Sequence, residues 1–341
     1  MLSSHNPLKP GKLDADLLAT LLGPLGADPS VVVGPGIGRD VAVIDVGAPE
    51  LLLLKSDPIT FATDEIGLYA VTVNVNDIAT AGGTPRWFLA TVLLPEGSAT
   101  ADSVASLLTQ VRSACNQYGM SLVGGHTEVT LGLDRPIIAG TVVGRVARDR
   151  LVTNSGIRSG DALLVTKAVP LEGTSLLARE LGPRLLTEGF TPDFLDACAD
   201  LLHHPGIGVL PEAKLACETV RVHAMHDPTE GGLATGLWEM ASAGHVGLEI
   251  DSSAVPLLPE GAGLCRHLGL NPLGLIASGS LLLAVAPEDA PLVTEACLRA
   301  GIDCALIGHA TESNGECVLQ TPEGPMPLPR FDQDELTRVF T

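Results

Sequence analysis

Aromatic residues are scarce in this chain. Phe, Trp and Tyr make up 3% of its 341 residues, so the core must be built from aliphatic side chains. Basic residues are scarce as well. Twenty Lys and Arg stand against 40 Asp and Glu, a formal charge of −20 and a pI near 4.7. A molecule of that sign repels a phosphate backbone, and no run of Lys or Arg forms a basic stripe, which argues against nucleic-acid binding. No stretch approaches the roughly 18 uninterrupted apolar residues of a membrane span. Met1 to Lys12 is polar and contains proline, unlike a signal peptide. No two cysteines have Cys-x-x-Cys spacing. The seven present, Cys115, Cys198, Cys217, Cys265, Cys297, Cys304 and Cys317, are odd in number and lie mostly among apolar residues. That pattern predicts buried free thiols in a reducing compartment, with the cytoplasm as the expected location.

What is present points to a folded, turn-rich protein. Hydrophobic residues reach 45% and the mean hydropathy is +0.32, which excludes a disordered or fibrous chain. Glycine and proline are abundant, at 38 and 25. At roughly 100–200 residues per domain, the length predicts two domains or one large α/β unit.

Strands and helices alternate loosely along the sequence, the pattern of α/β or α+β layers. In the first half, Leu13–Leu22 and Ala101–Tyr118 have helical spacing, the latter stopped by Gly119. Strands are expected at Val41–Val46, Leu51–Lys55, Arg86–Leu94, Ser121–Val123 and Pro136–Val146. Leu68–Thr80 is ambiguous. Its Val-Thr-Val-Asn-Val-Asn core alternates like a strand, but its length, Asp64 as an N-cap and the closing Gly82-Gly83 favour a helix. The turn-rich Asn154–Gly160 divides residues 1–155 from 156–341. The second half reads as helices at Thr174–Leu181, Pro192–Leu202, Leu210–Glu218, Gly232–Ala243, Glu260–Leu268 and Pro287–Ala300. Strands are expected there at Asp161–Thr166, Val220–Met225, Gly247–Ile250, Ser280–Val285, Ala305–Ile307 and Glu316–Leu319. Val143-Gly144-Arg145 and Ile307-Gly308-His309, each at a strand end, hint at a duplicated plan.

Five segments could carry chemistry. Gly34-Pro-Gly-Ile-Gly-Arg-Asp40 could offer backbone N–H groups to a phosphate, or simply turn into the next strand. It lacks the Gly-Lys-Ser/Thr of a Walker A loop and the following helix of a Rossmann fingerprint. Lys55-Ser-Asp57-Pro places a carboxylate at a strand end, where α/β clefts form, although Asp-Pro also starts turns. Asn76-Asp77 is a polar pair in an apolar, β-branched segment and is costly to bury without a partner. Gly124-Gly125-His126-Thr127-Glu128 follows a short strand and offers acid, base or metal-ligating groups. His226-Asp227-Pro-Thr229-Glu230-Gly-Gly opens a helix, where a phosphate could sit or a capping box could be the whole account.

Taken in order, these segments resemble the aminoimidazole ribonucleotide synthase (PurM-like) superfamily over nearly the whole chain. The match runs through Gly-x-Gly-x-Asp, Lys-x-Asp-Pro, Asn-Asp-x-x-x-x-Gly-x-x-Pro, Gly-Gly-His-Thr, Asp-x-Thr-x-Gly-Gly-Leu and Ser-Gly-x-Leu. Within it, Gly156–Ala178, His226–Ala243 and Gly269–Val285 are most similar to the hydrogenase maturation factor HypE. The resemblance implies a two-domain α/β fold, an N-terminal ATP-binding domain and a C-terminal α/β domain, with the N-terminal domains pairing into a homodimeric β-barrel. It implies ATP and Mg²⁺, phosphorylation of a substrate oxygen, and a possible maturation-factor partner. Carried over by position, Asp40, Asp57, Asp77 and Glu128 would surround Mg²⁺. Asp57, Asp77 and His126 would be catalytic. Gly36, Gly38, Lys55, Asn76, Gly125, Thr127, Asp227 and Thr229 would line the nucleotide site.

Two departures qualify the resemblance. HypE proteins end in Pro-Arg-Ile-Cys, whose thiolate carries a carbamoyl group, whereas this sequence ends Arg338-Val-Phe-Thr341. A thiocarbamate carried on that tail is therefore not expected. Arg39 and His126 stand where thiamine-monophosphate kinases of the superfamily have Asp. Such a kinase remains the alternative, and a nucleotide-binding assembly partner without chemistry the third reading.

Overall fold

A computed structural model describes residues 11–13, 15–22, 28–36, 38–313 and 315–340. The expectation for Met1 to Lys12 falls mostly outside the described residues, as does Ile37 of the glycine-rich loop. The protein has a two-domain α/β fold. Its first half forms a six-stranded sheet from β1 (Val31–Val33), β2 (Ala42–Ile44), β3 (Glu50–Ile59), β4 (Thr84–Pro95), β5 (Ser121–Thr130) and β6 (Ile137–Ala147). The strand order is β1-β2-β3-β6-β4-β5. Three helices accompany it: α1 (Ala15–Leu22), α2 (Ile66–Thr80) and α3 (Ala101–Gln117). All pairings are antiparallel except β4 with β5, which are parallel and joined by the α3 crossover.

The second half begins at β7 (Ala162–Thr166) and continues with α4 (Leu171–Thr187), α5 (Pro192–Asp200), α6 (Leu210–Thr219), β8 (Ala224–His226), α7 (Gly232–Gly244) and β9 (Gly247–Asp251). It closes with α8 (Pro259–Leu268), β10 (Leu282–Val285), α9 (Ala290–Arg299), β11 (Cys304–Thr311), β12 (Cys317–Thr321) and β13 (Gly324–Pro327). Its seven strands lie in the order β13-β12-β9-β11-β7-β10-β8. The two Gly-plus-cation segments lie on β6 and β11, interior strands of their respective sheets. β1 and β13 are too short to show a period and were not expected.

Helix α2 is the axle of the molecule. Fourteen of its fifteen residues are buried, so it is apolar on nearly every side, as a helix enclosed by two layers must be. One side packs on β3 and β6, another on α6 and β8 of the second half. The helical reading of this segment is correct, and the alternating valines follow from burial on all sides rather than from a strand. The expected cap is not made. The N-cap is Glu65, in a left-handed conformation and with no side-chain cap. Asp64 and Glu65 turn instead to Arg179 of α4.

Glycine allows the close approach of α2 to the sheet. A Cβ on Gly140 of β6 would lie 2.6 Å from Asn74 Nδ2 and 2.9 Å from the Ala70 carbonyl. The main core runs continuously from the first sheet into α4, α5 and α8, joining Val71, Phe88 and Ile138 to Leu176, Leu195 and Leu264. All seven cysteines are free thiols, five buried and two half-buried. No helix among the described residues is long and apolar enough to cross a membrane.

Candidate active site

The site assembles where the end of β3 meets α2. Lys55 and Asp57 are two residues apart on a strand and so share a face. Asn74 holds this strand end: its side-chain oxygen accepts from the Asp57 N–H at 3.0 Å, and its amide donates to the Asp57 carbonyl at 3.2 Å. Asp77 stands one turn further along α2. Lys55 Nζ lies 3.2 Å from Asp57 Oδ2 and 3.1 Å from Asp77 Oδ1. One more turn brings Thr80, whose hydroxyl donates to Asp40 Oδ2 at 3.1 Å.

The second half closes the other wall. β8 ends in His226, and Asp227 follows it. His226 Nδ1 lies 3.0 Å from Asp40 Oδ1, and Nε2 lies 2.8 Å from Glu239 Oε2 on α7. Asn154 donates to Asp40 Oδ2 at 3.3 Å. Lys12 stands at the mouth, 3.1 Å from the Thr229 hydroxyl and 3.6 Å from the carboxylates of Glu230 and Glu239. Between the halves lies a cavity of about 700 Å³. Asp40, Lys55, Asp57, Asp77, Asp227 and Thr229 line it, together with Lys12, Gly38, Glu172, His226, Glu230, Glu239 and Ser278.

Its electrostatics divide into a compensated part and an uncompensated one. Burial disfavours the His226 imidazolium, but Asp40 and Glu239 on either side override it and raise its pKa well above the usual histidine value. Burial would raise the two carboxyls; His226 holds Asp40 below its usual value, and Lys12 with His226 brings Glu239 down to about 2. Lys55 likewise stays charged, because Asp77 and Asp57 outweigh its desolvation. At Asp227 burial, reinforced by Asp40, outweighs His226 and Lys55 and pushes the carboxyl up to about 7. Asp77 also rises well above the carboxylate range, through burial that Lys55 offsets only in part, reinforced by Asp227 and Asp57. Asp77 Oδ2 and Asp227 Oδ2 are buried without a hydrogen-bond partner.

These residues fit a hard divalent cation. The free donors are carboxylate oxygens, the ligands that Mg²⁺ takes. Donor atoms of Asp40, His226 and Asp227 lie within 4.8 Å of one another. Both ring nitrogens of His226 face carboxylates, so the oxygens of Asp40 and Asp227, with the unpartnered Asp77 Oδ2 across the cavity, are the groups that would take such an ion.

Several expected residues lie elsewhere in the single chain. Asn76 and Asp77 are neighbours in sequence but about 100° apart on a helix. Asn76 therefore points away from the cavity. Its amide donates to the Ile207 carbonyl at 2.9 Å and its oxygen accepts from the Val209 N–H at 2.9 Å, tying α2 to the second half. Gly36 lines a separate, smaller cleft. Gly38 does reach the site; its φ is +67° and a Cβ would lie 2.8 Å from the Glu239 carbonyl, so the position requires glycine. Gly125, His126, Thr127 and Glu128 do not follow a short strand but belong to β5, which runs to Thr130. Gly125, at φ +140°, leaves room for the Ala90 carbonyl of β4, which a Cβ would strike. His126 Nε2 and Glu128 Oε2 pair at 3.0 Å on this exposed sheet edge and do not line the cavity of their own chain.

His226, Glu239, Glu172 and Lys12 are not site residues in the sequence reading. His226 and Glu230 lie in the same segment as Asp227, where Glu230 offers only a cap, and Ser278 opens the Ser-Gly-x-Leu motif. Glu239 and Glu172 carry no local signal, because nothing in a helix sequence says which acidic residue turns inward.

Residues 38–146 match the family model of the AIR synthase related protein N-terminal domain, and residues 158–319 that of the C-terminal domain. A protein of Methanocaldococcus jannaschii, provisionally named a hydrogenase expression/formation protein, is 30% identical over 307 residues, 86% of each chain. The carbamoyl dehydratase HypE of Rhizobium leguminosarum is 32% identical over 281 residues, covering 80% of this chain and 77% of that one. Among solved structures, a hydrogenase maturation protein HypE in complex with ATP superposes with a TM-score of 0.71 at 25% identity, over 86% of this chain and 88% of that one. The thiamine-monophosphate kinase fold is shared at a TM-score of 0.64 and 24% identity, over 82% of this chain and 90% of that one. With both family domains matched along most of its length, the chain belongs to the AIR synthase related family, and its curated relatives include HypE.

Proposed function

We propose that this protein is a Mg²⁺-dependent, ATP-using enzyme that phosphorylates an oxygen of a small or protein-bound acceptor in hydrogenase maturation. The observation that carries the reading is the pair of buried, partnerless carboxylate oxygens, Asp77 Oδ2 and Asp227 Oδ2, on opposite walls of one cavity. A cation bound there would bring both oxygens into their charged, coordinated form and offset the charge of an entering triphosphate. The relatives' names and the ATP-bound neighbour support the nucleotide and the cellular role.

In this reading the two halves, 1–155 and 156–341, hold the nucleotide between them. Asp77, Asp227 and Asp40, with Asp57 beside them, would hold Mg²⁺, which when bound would supply charge neutralisation and alignment of the phosphates. Lys55, which bridges Asp57 and Asp77, would turn to a phosphate oxygen once a cation takes those carboxylates. His226 orients Asp40 and fixes its charge. Catalysis is positioning and electrostatic stabilisation, with no covalent intermediate on the protein.

The reading includes a homodimer. β5 is a long sheet edge, and Val123 and Val129 along it are more than half exposed. Such an edge invites pairing with a second strand. Pairing of two β5 edges would bury these valines and enclose His126 and Glu128, giving those residues their role. Transient contact with another maturation factor in the cytoplasm belongs to the same proposal.

Calorimetry and an ADP-release assay test it. The chain should bind ATP in millimolar Mg²⁺ and lose that binding in excess chelator. Asp57→Asn and Asp77→Asn should each reduce ADP formation by at least a hundredfold. Full turnover in both variants would remove these residues from the mechanism.

A further inference from the structure

Two thiols meet under α9, away from the cavity between the halves. The helix ends at Arg299, and the chain reverses at once. Gly301 is left-handed at φ +74°. Its N–H donates to the Leu298 carbonyl at 3.1 Å, and the Ile302 N–H donates to the Cys297 carbonyl at 2.9 Å. This glycine-closed helix end turns the chain straight back into β11, whose first residue is Cys304. Cys297 is therefore wholly buried in the core layer beneath α9, and the half-buried Cys304 packs against that layer. The two thiols lie against each other and share a hydrogen bond. Thr294, one turn before Cys297, also lies against Cys304. It lines an open groove of about 770 Å³, so the pair is reachable from outside.

We propose that Cys297 and Cys304 are a reversible redox modification site, oxidised by hydrogen peroxide to an intramolecular disulfide. A hydrogen bond between two thiols couples their titration. The S–H of one stabilises the first negative charge on the other and opposes a second. The contact thus brings Cys297 below the ordinary thiol value and raises Cys304. The charge belongs to the pair, so either sulfur can carry it. In the other five cysteines burial wins. It pushes Cys115, Cys217 and Cys317 up to about 11, and Cys198 and Cys265 up to about 12. The thiolate is the reactive form, so peroxide selects the pair. Its sulfur attacks one peroxide oxygen, the O–O bond breaks, and hydroxide leaves, giving a sulfenic acid. The neighbouring thiol attacks that sulfur and forms the S–S bond, and its proton departs with the expelled hydroxide as water. In total two thiols and one hydrogen peroxide become one disulfide and two waters, with two electrons passing from sulfur to oxygen. In a reducing compartment such a bond is transient, as a redox-sensing bond must be.

Peptide mapping of the full-length chain tests it. The protein is treated with stoichiometric hydrogen peroxide, blocked with N-ethylmaleimide and digested with trypsin. Cleavage after Arg299 separates the two cysteines, so the disulfide appears as peptide 267–299 joined to peptide 300–330. The second peptide also holds Cys317, and fragment ions assign the bond to one sulfur. The Cys297–Cys304 bond should form at least about tenfold faster than Cys198 or Cys265 is oxidised, and dithiothreitol should return it to two thiols. Cys297→Ser and Cys304→Ser should each abolish the cross-link and slow oxidation of the remaining thiol at least about fivefold. If one variant does not fold, the mapping of the parent chain and the other variant carry the test. A bond to any other cysteine, a sulfinic acid in place of the cross-link, or oxidation of the pair no faster than of Cys198 overturns the proposal. So does an unchanged rate in a folded variant. None of these outcomes bears on the nucleotide reading, which uses neither cysteine.

Discussion

Single residues in this cavity act through charge compensation. Lys55 offsets two carboxylates at once, and removing one partner from a buried ion pair is worth about 3–5 kcal/mol. Its side chain keeps 20% of its exposure, so water softens that figure. Lys55→Met should cost about 2–3 kcal/mol in chelator, and Mg²⁺ should restore more stability to the variant than to the parent. Denaturant melts with and without Mg²⁺ measure both. The uncompensated acids set a pH dependence of known sign. Asp227 and Glu172 have pKa values near 7 and 8 in the folded chain, against 3.8 and 4.5 as ordinary side chains. The native state therefore binds more protons through this window. Its stability from these groups is complete below about pH 4 and is lost as pH rises through 7 and 8. In chelator the melting temperature should fall between pH 5.5 and 8.5. Asp227→Asn should flatten that fall, and a slope unchanged in this variant would show that Asp227 is not its source. His226 adds to that fall: its pKa is raised, so its contribution is complete only below about pH 6.5 and declines above it, where the unfolded imidazole has lost its proton and the folded one has not.

At the scale of elements, α2 decides the geometry. It holds β3 through Asn74, Asp40 through Thr80 and the second half through Asn76. Its distance from the sheet is set by Gly140, where a methyl group would meet backbone and a hydrogen-bonded amide. Gly140→Ala should cost about 1–3 kcal/mol from overpacking. It should also weaken Mg²⁺-dependent nucleotide binding, since Asn74 positions Asp57. Gly263 in α8 is the contrast. It has ordinary helical dihedrals and open space where its Cβ would go, so Gly263→Ala should stabilise by roughly 0.5–1 kcal/mol. Chemical denaturation of the two variants should move the midpoints in opposite directions.

The whole molecule carries a charge of −20 and places several acids around a cavity proposed for a polyanion. Long-range attraction cannot bring the nucleotide in, so the cation must. Nucleotide affinity should depend on Mg²⁺ far more steeply than in a site built from Lys and Arg. The exposed β5 edge is the second whole-molecule feature. Sedimentation should show a dimer, and Val129→Lys should shift it toward monomer and lower ADP formation with it. A monomer of the parent chain with full activity would refute the edge-pairing proposal.

Much of this was legible in the residues themselves. Aliphatic composition, the spacing of apolar positions and the stops at Gly and Pro are local signals, and they predict most elements to within a few residues. Asp77 stands out because a carboxylate in an apolar helix must be paired, hydrated or bound, Asp57 by its place at a strand end, and Asp227 by the glycine-rich helix entry that follows it. Other features are decided only by tertiary structure. Helical rotation sends Asn76 to a domain contact and Asp77 to the cavity, though they are adjacent in sequence. His226 becomes a charged clamp because Asp40 and Glu239 arrive from distant segments to flank it. Glu172 and Ser278 come together only when α4 and the turn before β10 close on the same space. A sequence specifies which groups are polar and which spacing they keep. Which of them are buried together, and left without a partner, is a property of the packed chain.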